Sequence, residues 1–245
     1  WAPSPWTVPS VSAFLTGKAP WELTGPRGEG LPSEAVSLPE RLPKRAKWMI
    51  STNPYVTESR GFAQGFDRFE RVERDSDAVA LAKKWWAEPT SQPRFLVVLL
   101  MDAHLPYEPS EPPVTPGSQV GDQFWDLDNW ESYGSEADQT QIRALYRAAV
   151  SDVDRSAGEL LEMVGEDAIA AIVSDHGEEL FEHGGFEHGH AFWEEITRIH
   201  AAIRIPGVPA TQPEGLWSIQ AVGQMLAKNL QATGNNASPQ PSNFL

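Results

Sequence analysis

The apolar positions of the chain fall into segments of distinct period, and these predict alternating strands and helices. Phe95 to Met101 (FLVVLLM) is a continuous apolar run bounded by Pro93 and Asp102, the pattern of a parallel strand covered on both faces. Ala168 to Ser174 (AIAAIVS) has the same character, and Lys47 to Ser51 and Ile199 to Ile205 give two more short strands. Ile142, Leu145, Ala149, Val153, Leu160 and Val164 recur at helical spacing, which predicts a long helix over 138–164 stopped by Gly165, its apolar stripe facing a sheet. Residues 75–87 open with Asp and Ser, good capping types, and continue with helix formers. Further helices are expected from about Pro9 and over Leu216 to Leu230, with a shorter one around Pro39 to Arg45. The fold class is therefore α/β, a largely parallel central sheet sandwiched by helices. Residues 108–137, rich in Pro, Gly, Ser and acid, are expected to form an irregular excursion rather than a second core.

Length and composition narrow this picture. At 245 residues one α/β core is the default and two small domains the alternative. Charged residues make up 22% and the AVILMFWYC set 40%, a globular balance, and no apolar run is long enough for a bilayer span. Lys and Arg number 19 against 34 Asp and Glu, and the resulting charge of −15 opposes nucleic acid and anionic lipid as partners. The absence of cysteine excludes disulfides, thiolate metal sites and a cysteine nucleophile, and leaves the compartment open.

The candidate chemistry lies where apolar strands end. Five of the six histidines occupy two post-strand loops, His104 in one and His176, His183, His188 and His190 in the other. A strand ending in Asp175-His176 places a carboxylate and an imidazole at a rigid sheet edge, a ligand pair suited to zinc or manganese; the plainer reading is a solvated acidic loop. Thr7 precedes the first helix and reads as its N-cap. A hydroxyl there would also face the positive end of the helix dipole, where a phosphate or sulfate is held. Asp102 and His104 follow their strand as Asp175 and His176 follow theirs, so His104 is a candidate for protonating a leaving group, or a loop histidine bonded to local carbonyls.

Four segments, in order, resemble sulfatase-like hydrolases of the alkaline phosphatase superfamily. WTVPSVSAFLTG resembles their nucleophile loop, MDAHLPYEP a "D-P-H-x-P-Y" loop, and IVSDHGEELFEHG with HGHAFWEEITRI their "SDHGE…GEHG…HG…YEELTR" block. STNPYVTESRGFAQGFDRF also looks like a family segment, and Trp217 to Gly234 is similar to a helix near the domain's end. The resemblance implies that Thr7 is the nucleophile and a metal ligand, that Asp175 and His176 are metal ligands, and that His104 and His188 meet the substrate's anionic or leaving group. His183 and His190, from the same block, are further candidates for substrate binding. Sulfatases proper carry Cys or Ser at the nucleophile for conversion to formylglycine, with an Arg four residues on. Here the positions hold Thr7 and Val11, and threonine cannot yield that aldehyde.

An unmodified Thr resembles the phosphoglycerol-transferase and phosphodiesterase branch, which implies hydrolysis or transfer of a small-molecule, lipid or glycan phosphoric ester on a divalent metal. His176 favours zinc or manganese over calcium. The alternatives are a sulfuric ester hydrolase and a non-catalytic binding domain that keeps the fold. Family members also supply acidic metal ligands from a strand upstream of the nucleophile, and six residues precede Thr7. Residues 1–234 are accordingly expected to be a catalytic domain lacking its first strand, inactive as it stands, with 235–245 a surface tail. By resemblance alone the setting is extracytoplasmic, membrane attachment being left open.

Overall fold

The computed structural model describes residues 1–23, 30–122, 124, 133–212 and 214–234, so the expected surface tail lies outside the described residues. At its centre β1 (Ala46–Ser51) is flanked by β2 (Arg68–Arg71) and β3 (Arg94–Leu99), all parallel. The alternation of a strand sorts the side chains of β1 and β3 onto two faces. Met49, Val97 and Leu99 pack with Val8, Val11 and Leu15 of α1 (Thr7–Thr16), whereas Trp48, Ile50, Leu96 and Val98 pack with Ala78, Ala82 and Trp85 of α2 (Asp75–Ala87). Helices thus cover both faces of the parallel sheet. The strand β2 escapes a reading by hydrophobicity because RFER has a single apolar residue, Phe69, which joins the α1 side while its neighbours stay exposed at the sheet edge.

The expectation that the two apolar runs would be covered on both faces holds only in part. Every residue of β3 is half-buried, since β3 pairs with β1 on one side alone among the described residues. The other run forms β4 (Ala170–Val173), which pairs antiparallel with β7 (Ala201–Arg204), a separate ladder in which Ile172 is 44% exposed.

The long helix α3 (Glu136–Val164) starts two residues before its apolar stripe predicts, because the Ser135 side chain accepts a hydrogen bond from the Asp138 amide and caps it. Its stripe divides. Leu160 and Met163 reach the layer of α2 and the sheet, while Ile142 and Leu145 are buried with Leu105, Tyr107, Phe124, Leu180 and Phe186. Residues 108–137 were expected to form an irregular excursion rather than a second core; within it Val120 and Phe124 are buried in this cluster, and Tyr107 bridges Phe124 through the backbone. Aromatic anchors spaced through a Pro- and Gly-rich segment carry burial without any period.

At the other end of the chain α5 (Ile219–Gly234) lies against α1. The approach is close enough that a Cβ on Gly223 would stand 2.1 Å from the Phe14 carbonyl oxygen, and Gln224 Nε2 donates to the Gly17 carbonyl at 2.6 Å. Thus the last helix braces the first, which carries Thr7. Among the described residues no helix is long and apolar enough to cross a membrane.

Candidate functional site

Thr7 is the first residue of α1, not its cap: Trp6 takes the N-cap position and offers no side-chain bond to the first turn, which also contains no acid. The Thr7 hydroxyl, freed from capping, lies 3.2 Å from His176 Nε2 although 169 residues separate the two. Directly beyond β4, Asp175 Oδ1 accepts the His176 amide at 3.0 Å and Oδ2 stands 3.6 Å from His176 Nε2. This turn is held by the Gly177 amide, which donates to the Ile196 carbonyl at 2.6 Å. Only glycine fits there, because a Cβ would lie 2.0 Å from the Glu195 carbonyl oxygen, just N-terminal to Ile196 in the four-residue helix α4 (Glu194–Thr197).

The loop after β3 brings in the third segment. Asp75, completely buried at the start of α2, accepts from the Met101 amide (2.8 Å), the Asp102 amide (2.9 Å) and the Thr52 hydroxyl (2.9 Å). A residue that sequence reading assigns to a helix cap therefore ties down the loop carrying His104. The His104 ring meets that of His188 edge to face at 4.9 Å, and His188 lies 4.1 Å from His176, so three imidazoles form one cluster beside Thr7.

All three rings are held by the same atom. Nδ1 of His176 faces the Gly177 carbonyl at 2.8 Å, Nδ1 of His104 the Leu105 carbonyl at 2.6 Å, and Nδ1 of His188 the Glu178 carboxylate at 2.8 Å. A carbonyl only accepts, so Nδ1 of His176 and His104 carries the hydrogen and the opposite nitrogen, Nε2, is left for the cleft. Glu178 was visible in sequence only as one acid among several.

His183 and His190 do not join the cluster. His183 Nε2 pairs with Glu195 at 3.1 Å and its ring stacks on Trp193 at 4.2 Å. His190 Nε2 pairs with Glu179 at 2.8 Å, and both imidazoles remain about two-fifths exposed. Glu179 opens a hairpin of β5 (Glu179–Leu180) and β6 (Phe186–Glu187) and is fully buried; burial alone would raise its pKa, but bonds from His190, Gly185 and His183 hold it below the usual carboxylate range.

Burial dominates the electrostatics of the cleft. It lowers the pKa of His104 and His188, so both favour the neutral form. It raises the Glu178 carboxyl to about 7 against the pull of His104 and His176. Asp102 rises to about 6 through burial and the adjacent Asp75 charge. Tyr107, whose hydroxyl is buried near Glu178, is held well above the ordinary phenol range by burial and by Glu178.

Among the described residues no group of three or more His, Cys, Asp or Glu is arranged to hold a metal ion. Two such residues and a hydroxyl do converge. In a tetrahedral site with ligands about 2.0–2.2 Å from the ion, neighbouring donors lie about 3.3–3.6 Å apart. The spacings of Thr7 Oγ1 and Asp175 Oδ2 from His176 Nε2, 3.2 and 3.6 Å, have that size. An oxygen-rich set with one imidazole suits zinc or manganese, so the residues fit part of a divalent site.

No curated protein sequence matches the chain. Among solved structures it resembles a 2-O GAG sulfatase (16% identity over 100% of this chain and 63% of that one, TM-score 0.66). It also resembles the phosphonate monoester hydrolase of Agrobacterium radiobacter (17%, 94% and 65%, TM-score 0.70) and the C-terminal periplasmic domain of the phosphoethanolamine transferase EptC from Campylobacter jejuni (16%, 98% and 78%, TM-score 0.67). At these identities the likeness is one of fold, and the chain spans less than two thirds of the sulfatase and of the hydrolase. The Sulfatase family model matches residues 1–229, nearly the whole of the described chain, and the protein therefore belongs to the sulfatase family.

Proposed function

We propose that the protein cleaves or transfers a phosphoric ester with Thr7 as nucleophile. The observation that carries this reading is the contact of the Thr7 hydroxyl with His176 Nε2 at 3.2 Å, with an Asp175 carboxylate oxygen 3.6 Å from the same nitrogen. Thr7, Asp175 and His176 would hold a divalent ion, zinc or manganese before calcium. Such an ion supplies Lewis acidity that lowers the pKa of a bound hydroxyl and offsets charge on the ester.

The remaining work falls to the chain itself. The uncapped first turn of α1 directs backbone N–H groups and the positive end of the helix dipole toward an anion beside Thr7. Attack by Thr7 Oγ1 on phosphorus expels the leaving alcohol and gives a phospho-threonine, which water or an acceptor alcohol then resolves. His104 presents Nε2 to the cleft and, once protonated there, would give that proton to the leaving oxygen. Burial depresses its basicity, which makes its protonated form the stronger acid. His188 adds a second Nε2 for the phosphoryl group. His183 and His190, at the rim, would contact an extended substrate. A lipid or glycan phosphoric ester fits this arrangement, and an extracytoplasmic setting is part of the proposal, in keeping with the periplasmic transferase domain it resembles.

The test is turnover by the full-length protein of an aryl phosphate and an aryl sulfate with added zinc or manganese, alone and in competition. Metal-dependent release from the phosphate supports the proposal. Preference for the sulfate would make the protein a sulfuric ester hydrolase that manages without formylglycine, and no turnover of either would leave a binding domain.

A further inference from the structure

Of the three imidazoles in the cleft, two are oriented by backbone carbonyls and one by a charged side chain. His176 and His104 donate Nδ1–H to the carbonyls of Gly177 and Leu105, whereas His188 faces Glu178 Oε1 at 2.8 Å. The pair is enclosed: the Glu178 and His188 side chains are 5% and 9% exposed. The Glu178 carboxylate bonds His188 at this distance, and the Tyr107 hydroxyl lies near the same carboxylate. A buried side-chain acceptor aimed at one imidazole fixes which ring nitrogen bears the hydrogen.

Backbone geometry supports the placement. Glu187, just before His188, adopts the left-handed conformation (φ 74°), uncommon for a residue with a side chain. The chain accepts this cost at the step where β6 ends and the His188 ring enters the cleft against His176.

We propose that Glu178 is a positioning residue that holds His188 as the Nδ1–H tautomer, with Nε2 facing the cleft as the proton acceptor for the group that resolves the phospho-threonine. This rests on the phosphoryl-transfer reading of the site. In that step the oxygen of water or an alcohol forms a bond to phosphorus, its proton passes to His188 Nε2, and the bond from phosphorus to Thr7 Oγ1 breaks with its electron pair left on Oγ1. His188 then returns the proton to Thr7 or to solvent. His104, turned by a neutral carbonyl, serves the first leaving group, so the two histidines divide the two halves of the reaction.

The experiment compares the full-length protein with its Glu178→Leu and Glu178→Gln variants, loaded with zinc. Side-chain nitrogen NMR of His188 reports the tautomer directly and needs no turnover. Wild type is expected to show hydrogen on Nδ1, Glu178→Leu to lose that bias, and Glu178→Gln, which keeps an acceptor oxygen, to restore it. With p-nitrophenyl phosphate, Glu178→Leu is expected to lower kcat by about 100-fold with KM little changed, and Glu178→Gln to recover part of the rate, within the range of a general base. Hydrogen on Nε2 in wild type, or the same tautomer in wild type and Glu178→Leu, overturns the proposal. Equal kcat in the Leu variant overturns it too. Absence of turnover in wild type would instead sink the phosphoryl-transfer reading and leave the tautomer measurement to decide the role of Glu178.

Discussion

Replacing Asp75 by Ala tests how the His104 loop is held. Three donors converge on this buried carboxylate, but they do not lose equally. The Thr52 hydroxyl also lies 3.0 Å from the Leu99 carbonyl and keeps that acceptor, whereas the Met101 and Asp102 amides have no other partner among the described residues. Two stranded amides at about 1–3 kcal/mol each set the loss at about 2–6 kcal/mol. Relief of the charge that Asp75 exerts on Asp102 offsets only a fraction of this. The variant should unfold about 10 °C lower, at roughly 2–4 °C per kcal/mol for a chain of this size. Hydrogen exchange should locate the damage, with protection falling at Met101 and Asp102 and unchanged in the middle of α3. Turnover should fall with it, because the loop that aims His104 is no longer pinned. A variant within about 1 kcal/mol of wild type in denaturant unfolding, with both amides still protected, would refute the assignment of Asp75 as the anchor.

Three further outcomes follow from the site. Thr7→Ala should abolish turnover of an aryl phosphate while calorimetry still detects weakened zinc binding, since Asp175 and His176 remain, and Thr7→Ser should keep a substantial rate; undiminished activity in the Ala variant would remove Thr7 from the mechanism. Asp102 binds its proton more tightly in the folded chain (about 6) than in an unfolded one (about 3.9), so its contribution is complete below pH 4 and is lost as pH rises through 6. With half-burial discounted the effect is about 1 kcal/mol, and Asp102→Asn should flatten stability between pH 4 and 7; parallel curves for the two proteins would count against it. Gly177→Ala should cost about 3 kcal/mol or more, because the new Cβ meets the Glu195 carbonyl oxygen at 2.0 Å and no side chain can yield, and zinc affinity should drop as the turn bearing His176 shifts.

What the sequence disclosed depended on whether a segment's burial had a period. The helix over 75–87 could be read to the residue, and the stripe from Ile142 to Val164 foretold α3, because each buries one face against a flat partner. RFER hid β2, whose edge position needs only Phe69 inside. Val120 and Phe124 hid a hydrophobic cluster in a segment that composition marks as loop. At the site, post-strand placement together with the family resemblance pointed to Thr7, Asp175, His176, His104 and His188, which the structure groups in space. It could not divide four histidines in fifteen residues into two that turn inward and two that pair at the rim. That sorting is done by Glu178, Glu179 and Glu195, whose partners are fixed by the hairpin and by α4 rather than by spacing. Asp75 was concealed for a related reason, since a capping residue and a buried acceptor have the same chemical type.

The 169-residue separation of Thr7 from His176 also sets a clock. A ribosome adds about 5–20 residues each second, so the hydroxyl emerges about 10–30 s before the imidazole that receives its hydrogen bond has been made. The α1 helix meanwhile lacks α5, the brace that lies against it at Gly223 and is made later still. For that interval the nascent chain carries the threonine without either. The hydroxyl gains its partners only when the far end of the chain closes on the beginning.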